Sequence, residues 1–181
     1  MRVITGEARG RKLISVEGMD TRPTSDQTKK SMFNAIQFDI EGRRVLDLFA
    51  GTGQLGIEAL SRGAKDAVFV DSASAAIRVI RANVMSTHMD DRSEIVQADA
   101  ILSLKRFKEG RFGLIFLDPP YADGLIVPAL EAIYAGKLLC VGGLIVCETL
   151  FEEVLPAPAP FRILKEYHYG KTKISLLTRD A

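Results

Sequence analysis

From residue 44 onward the chain alternates short aliphatic or β-branched runs with segments whose apolar residues recur at helical spacing. The runs 44–48, 67–70, 93–97, 112–117 and 143–147 are almost continuously apolar, as strands buried on both faces must be. Between them, 54–62 carries Leu55, Ala59 and Leu60 on one helical face, 73–85 carries Ile77, Ile80 and Val84, and 125–134 has the same character. Strands alternating with helices read as βαβ units, hence an α/β fold with a largely parallel sheet covered on both sides. The stiff Pro156-Ala157-Pro158-Ala159-Pro160 stretch then introduces 161–167 and 173–177, which flank Gly170 and read as an antiparallel hairpin.

The first 42 residues follow a different pattern. Val3, Ile4, Leu13 and Ile14 are scattered around Gly6 and Gly10, which predicts a hairpin-like extension over 2–16, a loosely held arm with few apolar anchors. Ser25 or Asp26 then caps a helix to about residue 38 that buries Met32, Phe33 and Ile36 and stops before Gly42. The expected organisation is one domain over 1–181, with an extension at 1–42 and the sheet from 43 on. A length of 181 residues with 47% hydrophobic and 26% charged composition suits one domain better than two.

Charge changes the picture little. Lys and Arg total 24 against 23 Asp and Glu, so any nucleic-acid partner must be held by local patches rather than bulk charge. Cys140 and Cys147 lie in apolar stretches without metal-ligand spacing and read as buried core thiols of a protein in a reducing cytosol. Residues 1–10 lack the apolar segment of a secretory signal, and the apolar stretch 138–147 falls well short of the roughly 20 residues that span a bilayer. The expectation is a cytoplasmic protein without a membrane or metal partner.

Candidate chemistry begins where the first core strand runs into Ala50-Gly51-Thr52-Gly53-Gln54-Leu55-Gly56. Gly51, Gly53 and Gly56 form G-x-G-x-x-G in the strand-to-helix context that makes the pattern informative: glycine lets the backbone turn sharply and approach a ligand, and the next helix offers free N–H groups to an anion. Twenty residues after Gly51, Asp71 ends the second strand where a carboxylate accepts hydrogen bonds from both hydroxyls of an adenosine ribose. Asp47, four residues ahead of Gly51, would repel a pyrophosphate yet pair with an ammonium, which favours S-adenosylmethionine over a nicotinamide dinucleotide. Asp99 after the third strand suits an adenine amino group. Each aspartate also has a plainer reading: Asp47 as a loop cap, Asp71 and Asp99 as helix caps.

The fourth strand ends in Asp118-Pro119-Pro120-Tyr121, at the carboxyl edge where open α/β sheets bind ligands. Two prolines remove two backbone donors and leave carbonyls that only accept. An exocyclic amino group fits such a surface: its hydrogens go to the Asp118 carboxylate and the Pro119 carbonyl, its lone pair faces a methyl donor, and Tyr121 stacks on the base. Positioning and electrostatics then suffice for transfer, and Asp118 can take the released proton. The plainer reading is a rigid proline turn with a packing tyrosine.

With Asp47 to Gly56 and Asp118 to Tyr121 in place, the chain resembles a class I S-adenosylmethionine-dependent methyltransferase of the amino-methylating kind. Arg2-Val3-Ile4-Thr5-Gly6, Arg9-Gly10-Arg11-Lys12-Leu13, Arg22-Pro23-Thr24, Met32-Phe33-Asn34 and the Asp-Pro-Pro-Tyr segment are similar to the bacterial 16S ribosomal RNA guanine-N2 methyltransferase family called RsmD. The resemblance implies a Rossmann-like, seven-stranded, mostly parallel sheet, and methylation of a guanine amino group in small-subunit ribosomal RNA by a monomer acting on the subunit or an assembly intermediate. It implies that Asp47, Phe49, Ala50, Gly51, Gly53, Asp71, Ser72, Asp99 and Ala100 bind the cofactor. Asp118, Pro119, Pro120 and Tyr121 would carry the chemistry, with Arg9, Arg11, Lys12, Arg22 and Thr24 contacting RNA. Lys29 and Lys30 replace an arginine-bearing stretch familiar in that family. The alternatives are a DNA adenine-N6 methyltransferase, which shares the Asp-Pro-Pro-Tyr segment, a nicotinamide-dependent oxidoreductase, for which His88 and His168 fall outside the strand-end cluster, and a non-catalytic ribosome-assembly factor.

Overall fold

In the computed structural model, which describes residues 1–17, 25–121 and 123–179, the apolar runs become strands of one sheet. The described residues form β1 (Arg44–Leu48), β2 (Asp66–Asp71), β3 (Ser93–Gln97), β4 (Phe112–Leu117), β5 (Leu139–Leu150), β6 (Phe161–Tyr169) and β7 (Thr172–Arg179). Their helices are α1 (Asp26–Ala35), α2 (Gln54–Ser61), α3 (Ser74–Ser86), α4 (Ala100–Ser103), continued by a 3-10 turn at Leu104–Arg106, and α5 (Ile126–Ala135). The sheet order is β3-β2-β1-β4-β5-β7-β6. The first five strands run parallel, and β7 inserts antiparallel between β5 and β6. This is the Rossmann-like, seven-stranded, mostly parallel sheet expected from the sequence.

Both faces of the central strands are apolar because helices cover both. Val45, Phe69, Leu114, Phe116 and Val146 point to the side that packs Met32, Phe33, Leu55, Ile77 and Ile80. Leu46, Leu48, Val70, Ile115 and Leu117 alternate with them and face Ala129, Leu130 and Ile133 of α5. No described helix is long and apolar enough to cross a membrane.

The extension over 2–16 folds back on itself in the hairpin-like way expected: Arg2 and Lys12 form an isolated antiparallel bridge, Val3 N–H donates to the Arg11 carbonyl, Gly10 N–H to the Val3 carbonyl and Leu13 N–H to the Met1 carbonyl. Other donors of the arm go to α2: Ile4 and Thr5 N–H donate to the Glu58 carboxylate at 2.8 and 3.0 Å, Ala8 N–H to the Ser61 hydroxyl, and Glu7 N–H to the Ser61 carbonyl. The arm is therefore both paired with itself and docked along α2. It is firmly anchored rather than loosely held, since Val3, Ala8, Leu13 and Val16 are all buried. The α1 helix starts where expected, with the Ser25 hydroxyl accepting from Thr28 N–H, but ends at Ala35 rather than 38. Of the two cysteines, Cys147 is buried and Cys140 only half-buried, because the next two residues of β5 reach solvent.

Candidate active site

Register places the functional segments side by side. Leu48 of β1 pairs with Val70 of β2 and with Leu117 of β4, so the glycine loop, Asp71 and Asp118 leave three adjacent parallel strands at one edge. Asp71 is level with Gln97 of β3, which brings Asp99 to the same edge.

The loop after β1 is held in an unusual backbone path. Phe49 has φ 69°, a left-handed conformation that costs a non-glycine residue about 1 kcal/mol or more. Gly51 (φ 57°) and Gly53 (φ 77°) continue it, and Gly53 caps α2. A Cβ on Gly51 would meet nothing within 4 Å, so open space lies in front of the loop, whereas a Cβ on Gly56 would sit 2.3 Å from the Phe69 ring. Gly51 thus faces ligand space, and Gly56 permits close helix-to-strand packing.

Two of the aspartates fasten this loop. Asp71 accepts from Gly51 N–H through Oδ2 and from Ala73 N–H through Oδ1, both at 2.9 Å, and its half-buried carboxylate has lone pairs left for a ligand. Asp47 is 1% exposed and accepts from Gly56 N–H at 2.9 Å. Burial, reinforced by the nearby Asp71 charge and opposed by the Gly56 hydrogen bond, pushes its pKa up to about 7. Asp99 caps α4 through Leu102 N–H at 2.9 Å and is otherwise exposed. The capping reading therefore holds for Asp47 and Asp99 but not for Asp71, which ties the glycine loop to the residue before α3 rather than capping that helix; Asp71 and Asp99 both keep an accessible carboxylate. Ala50 and Ala100 are buried backbone positions of the same edge, and Ser72 is exposed beside Asp71.

At the end of β4, Asp118 is half-buried, Pro119 buried and Pro120 exposed. The Tyr121 hydroxyl donates to Glu148 Oε1 at 2.9 Å and accepts from the Thr172 hydroxyl. Burial, then the Glu148 charge, drives the phenol well above its ordinary pKa, which keeps it protonated. Behind this turn lies a cavity of about 230 Å³, walled by Pro119, Tyr121, Ile126, Glu148, Thr149 and Leu155.

The basic residues are more dispersed. Arg9, Arg11 and Lys12 are exposed, and Arg11 donates to the Ser86 carbonyl at the end of α3 at 2.9 Å. Arg22 and Thr24 lie outside the described residues.

Comparison with known proteins decides among the methyltransferase-like families: the model described as conserved hypothetical protein 95 matches residues 1–178. The chain belongs to this family, the RsmD family. It is 38% identical over 179 residues to the Bacillus subtilis (strain 168) protein named "Putative rRNA methyltransferase YlbH", covering 97% of each chain. It is 31% identical over 182 residues to "Ribosomal RNA small subunit methyltransferase D" of Escherichia coli (strain K12), covering 100% of this chain and 91% of that one. The solved structure "Putative methyltransferase yhhF from Escherichia coli" superposes with a TM-score of 0.88 at 32% identity, covering 100% of this chain and 98% of that chain.

Three features of this RsmD-family chain escape a motif-based reading. Lys29 is fully buried: its Nζ donates to the Arg2 carbonyl at 2.6 Å and pairs with Glu58 at 3.6 Å, while Arg62 pairs with Glu58 from the other side at 2.9 Å. It is no part of an RNA-facing surface. Asn83 of α3 joins the arm to the glycine loop, accepting from Ile14 N–H and donating to the Ile14 and Thr52 carbonyls. Glu148 and Thr149, polar residues at the carboxyl end of an apolar strand, line the cavity beside Tyr121. Such a polar pair within Val146-Cys147-Glu148-Thr149-Leu150 was the available signal.

Proposed function

We propose that this protein transfers a methyl group from S-adenosylmethionine to the exocyclic N2 amino group of a guanine in small-subunit ribosomal RNA. The observation that carries the reading is the Leu48–Leu117 register, which sets the glycine loop beside Asp118 at one sheet edge. The relatives named as ribosomal RNA methyltransferases support RNA as the substrate class.

The residues present fit S-adenosylmethionine. Gly51 leaves open space before the loop, and Gln54, first in α2, carries a buried side-chain oxygen with no hydrogen-bond partner among the described residues, an acceptor suited to a donor-bearing ligand. Asp47, expected from the sequence to meet an ammonium, is instead sealed beneath the loop, where it fixes the loop's path through Gly56 N–H; Asp71 offers acceptors for ribose hydroxyls and Asp99 an acceptor for an adenine amino group, with Phe49, Ala50, Ser72 and Ala100 completing the walls. When bound, this cofactor supplies an electrophilic methyl on a sulfonium. The chain's own work is positional. Asp118 and the Pro119 carbonyl accept the two amino hydrogens and aim the nitrogen lone pair, Tyr121 presents a ring face fixed by Glu148, and Asp118 receives the proton released on transfer. The chain works as a monomeric unit, with residues 1–42 as an extension of the core; Arg9, Arg11 and Lys12, joined by Arg22 and Thr24, supply phosphate contacts.

The test is transfer of labelled methyl to unmodified small subunits, naked ribosomal RNA and duplex DNA in parallel, with nucleoside analysis. N2-methylguanosine from subunits or RNA is expected. Methyladenine from DNA overturns the assignment, and cofactor binding without transfer to any of the three points to an assembly factor.

A further inference from the structure

We propose that the face of β6 carrying Lys165, Tyr167 and Tyr169 is a further binding surface, a stacking platform for the single-stranded RNA that flanks the target guanine. The inference rests on the methyl-transfer reading above for where that guanine lies, and on strand register for the rest. Because β7 is antiparallel to both β5 and β6, β6 runs in the same direction as β1 to β5. Its last residue, Tyr169, therefore stands at the edge where Asp118 and Tyr121 leave the sheet. Tyr169 is paired with Thr172 of β7, and the Thr172 hydroxyl bonds to that of Tyr121. One cross-strand pair thus separates the platform from the Asp-Pro-Pro-Tyr turn.

Alternation along the strand sorts the side chains of β6 to two sides. Tyr167 is paired with Ile174, and both tyrosines pack on the cluster that contains Ile174 and Leu176. Lys165, paired with Leu176, joins them on that side, its ammonium 4.9 Å from the Tyr167 ring centroid. The two tyrosine rings are parallel to within 9°, with centroids 6.4 Å apart. Each is only half-buried, so the apolar cluster leaves part of both in solvent.

Core packing accounts for the covered part of the rings but not for the charges around them. Glu166, the only carboxylate of β6, is turned to the opposite side, where it accepts from the Ser175 hydroxyl at 2.9 Å and pairs with Lys173 at 3.6 Å. Lys165 and, in the turn after Tyr169, Lys171 are exposed and pair with no carboxylate among the described residues. Aromatic surface bracketed by cations is what an unpaired RNA strand needs, since base faces stack on rings and phosphates follow the positive charge. A duplex keeps its base faces within its own stack, so the platform selects single strands.

Binding is read by fluorescence anisotropy with the full chain and a labelled oligouridylate of about 12 nucleotides, whose bases are unpaired. The double variant Tyr167→Leu, Tyr169→Leu keeps apolar bulk over Ile174 but removes the rings, and should bind roughly 5- to 50-fold more weakly. Its conservative counterpart, Tyr167→Phe with Tyr169→Phe, should stay within about twofold of wild type, because the rings remain. Lys165→Gln and Lys171→Gln should each lower the slope of log affinity against log salt by about 0.7. On small subunits, the leucine variant should raise KM while kcat and the S-adenosylmethionine Kd hold. Equal weakening by the leucine and phenylalanine variants overturns the stacking role and leaves the tyrosines as packing groups. Wild-type protein that does not bind the oligouridylate at low salt overturns the platform altogether. If the binding pattern is as expected but no acceptor is methylated, the methyl-transfer reading falls and the surface stands as an RNA site alone. If small subunits are methylated and the leucine variant binds and turns over as wild type does, only this inference falls.

Discussion

Asp118 and Asp47 are both aspartates near a parallel-strand terminus, yet their surroundings assign them different work. Asp118 is half-buried at the rim of the open edge, where it can meet a substrate amine, so Asp118→Ala should reduce methyl transfer by about 100-fold or more while the S-adenosylmethionine Kd, read by calorimetry, changes little. Asp47 is sealed under the loop, with its pKa raised from an ordinary 3.8 to about 7. The folded protein thus holds that proton where the unfolded chain releases it. The associated stability is full below pH 3.8 and is lost as pH rises through 7. Urea unfolding at pH 5 and pH 8 should show wild type losing on the order of 2 kcal/mol more across this interval than Asp47→Asn, which retains an acceptor for Gly56 N–H. A pH dependence unchanged in Asp47→Asn would place the titrating group elsewhere.

At the scale of elements, the glycine loop separates two kinds of glycine that a motif treats alike. Gly56→Ala drives a Cβ to 2.3 Å from the buried Phe69 ring and should cost about 1–3 kcal/mol of stability in denaturant unfolding. Gly51→Ala strains a left-handed residue but meets open space, so its main effect should be on ligand affinity, at least about tenfold weaker by calorimetry, with only about 1 kcal/mol of destabilisation. The sequence reading found β1, β3 and β4 to the residue, because a strand buried on both faces is apolar throughout and ends abruptly. It saw only the middle of β5, residues 143–147, since Gly142 (φ 72°) and the irregular register with β4 interrupt the apolar run before it and the polar Glu148 and Thr149 end it early. The strand-end aspartates were legible because their chemistry sits next to a local motif. The docking of the arm on α2 and the roles of Lys29 and Asn83 were not, because the partners lie tens of residues away and no local pattern announces them.

For the molecule as a whole, the Lys29–Glu58–Arg62 group joins the arm, α1 and α2 in one buried knot. Burial lowers the Lys29 pKa against the pull of Glu58, the mark of a charge held by its partner rather than by water. Lys29→Met keeps the volume but leaves Glu58 with one cation fewer and the Arg2 carbonyl without its donor, which should cost about 3 kcal/mol and lower the urea midpoint. The same knot governs the order in which a nascent chain can be finished. The arm leaves the ribosome ahead of its partners, so Ile4 and Thr5 have no acceptor until Glu58 has been made, and Ile14 none until Asn83 follows. Synthesis then places β1, β2 and β3 outward to one side before β4 returns to the other flank of β1. The arm, translated before the elements it docks on, is therefore among the later segments to settle, and a half-made chain carries its basic residues unclaimed while its sheet is still one-sided.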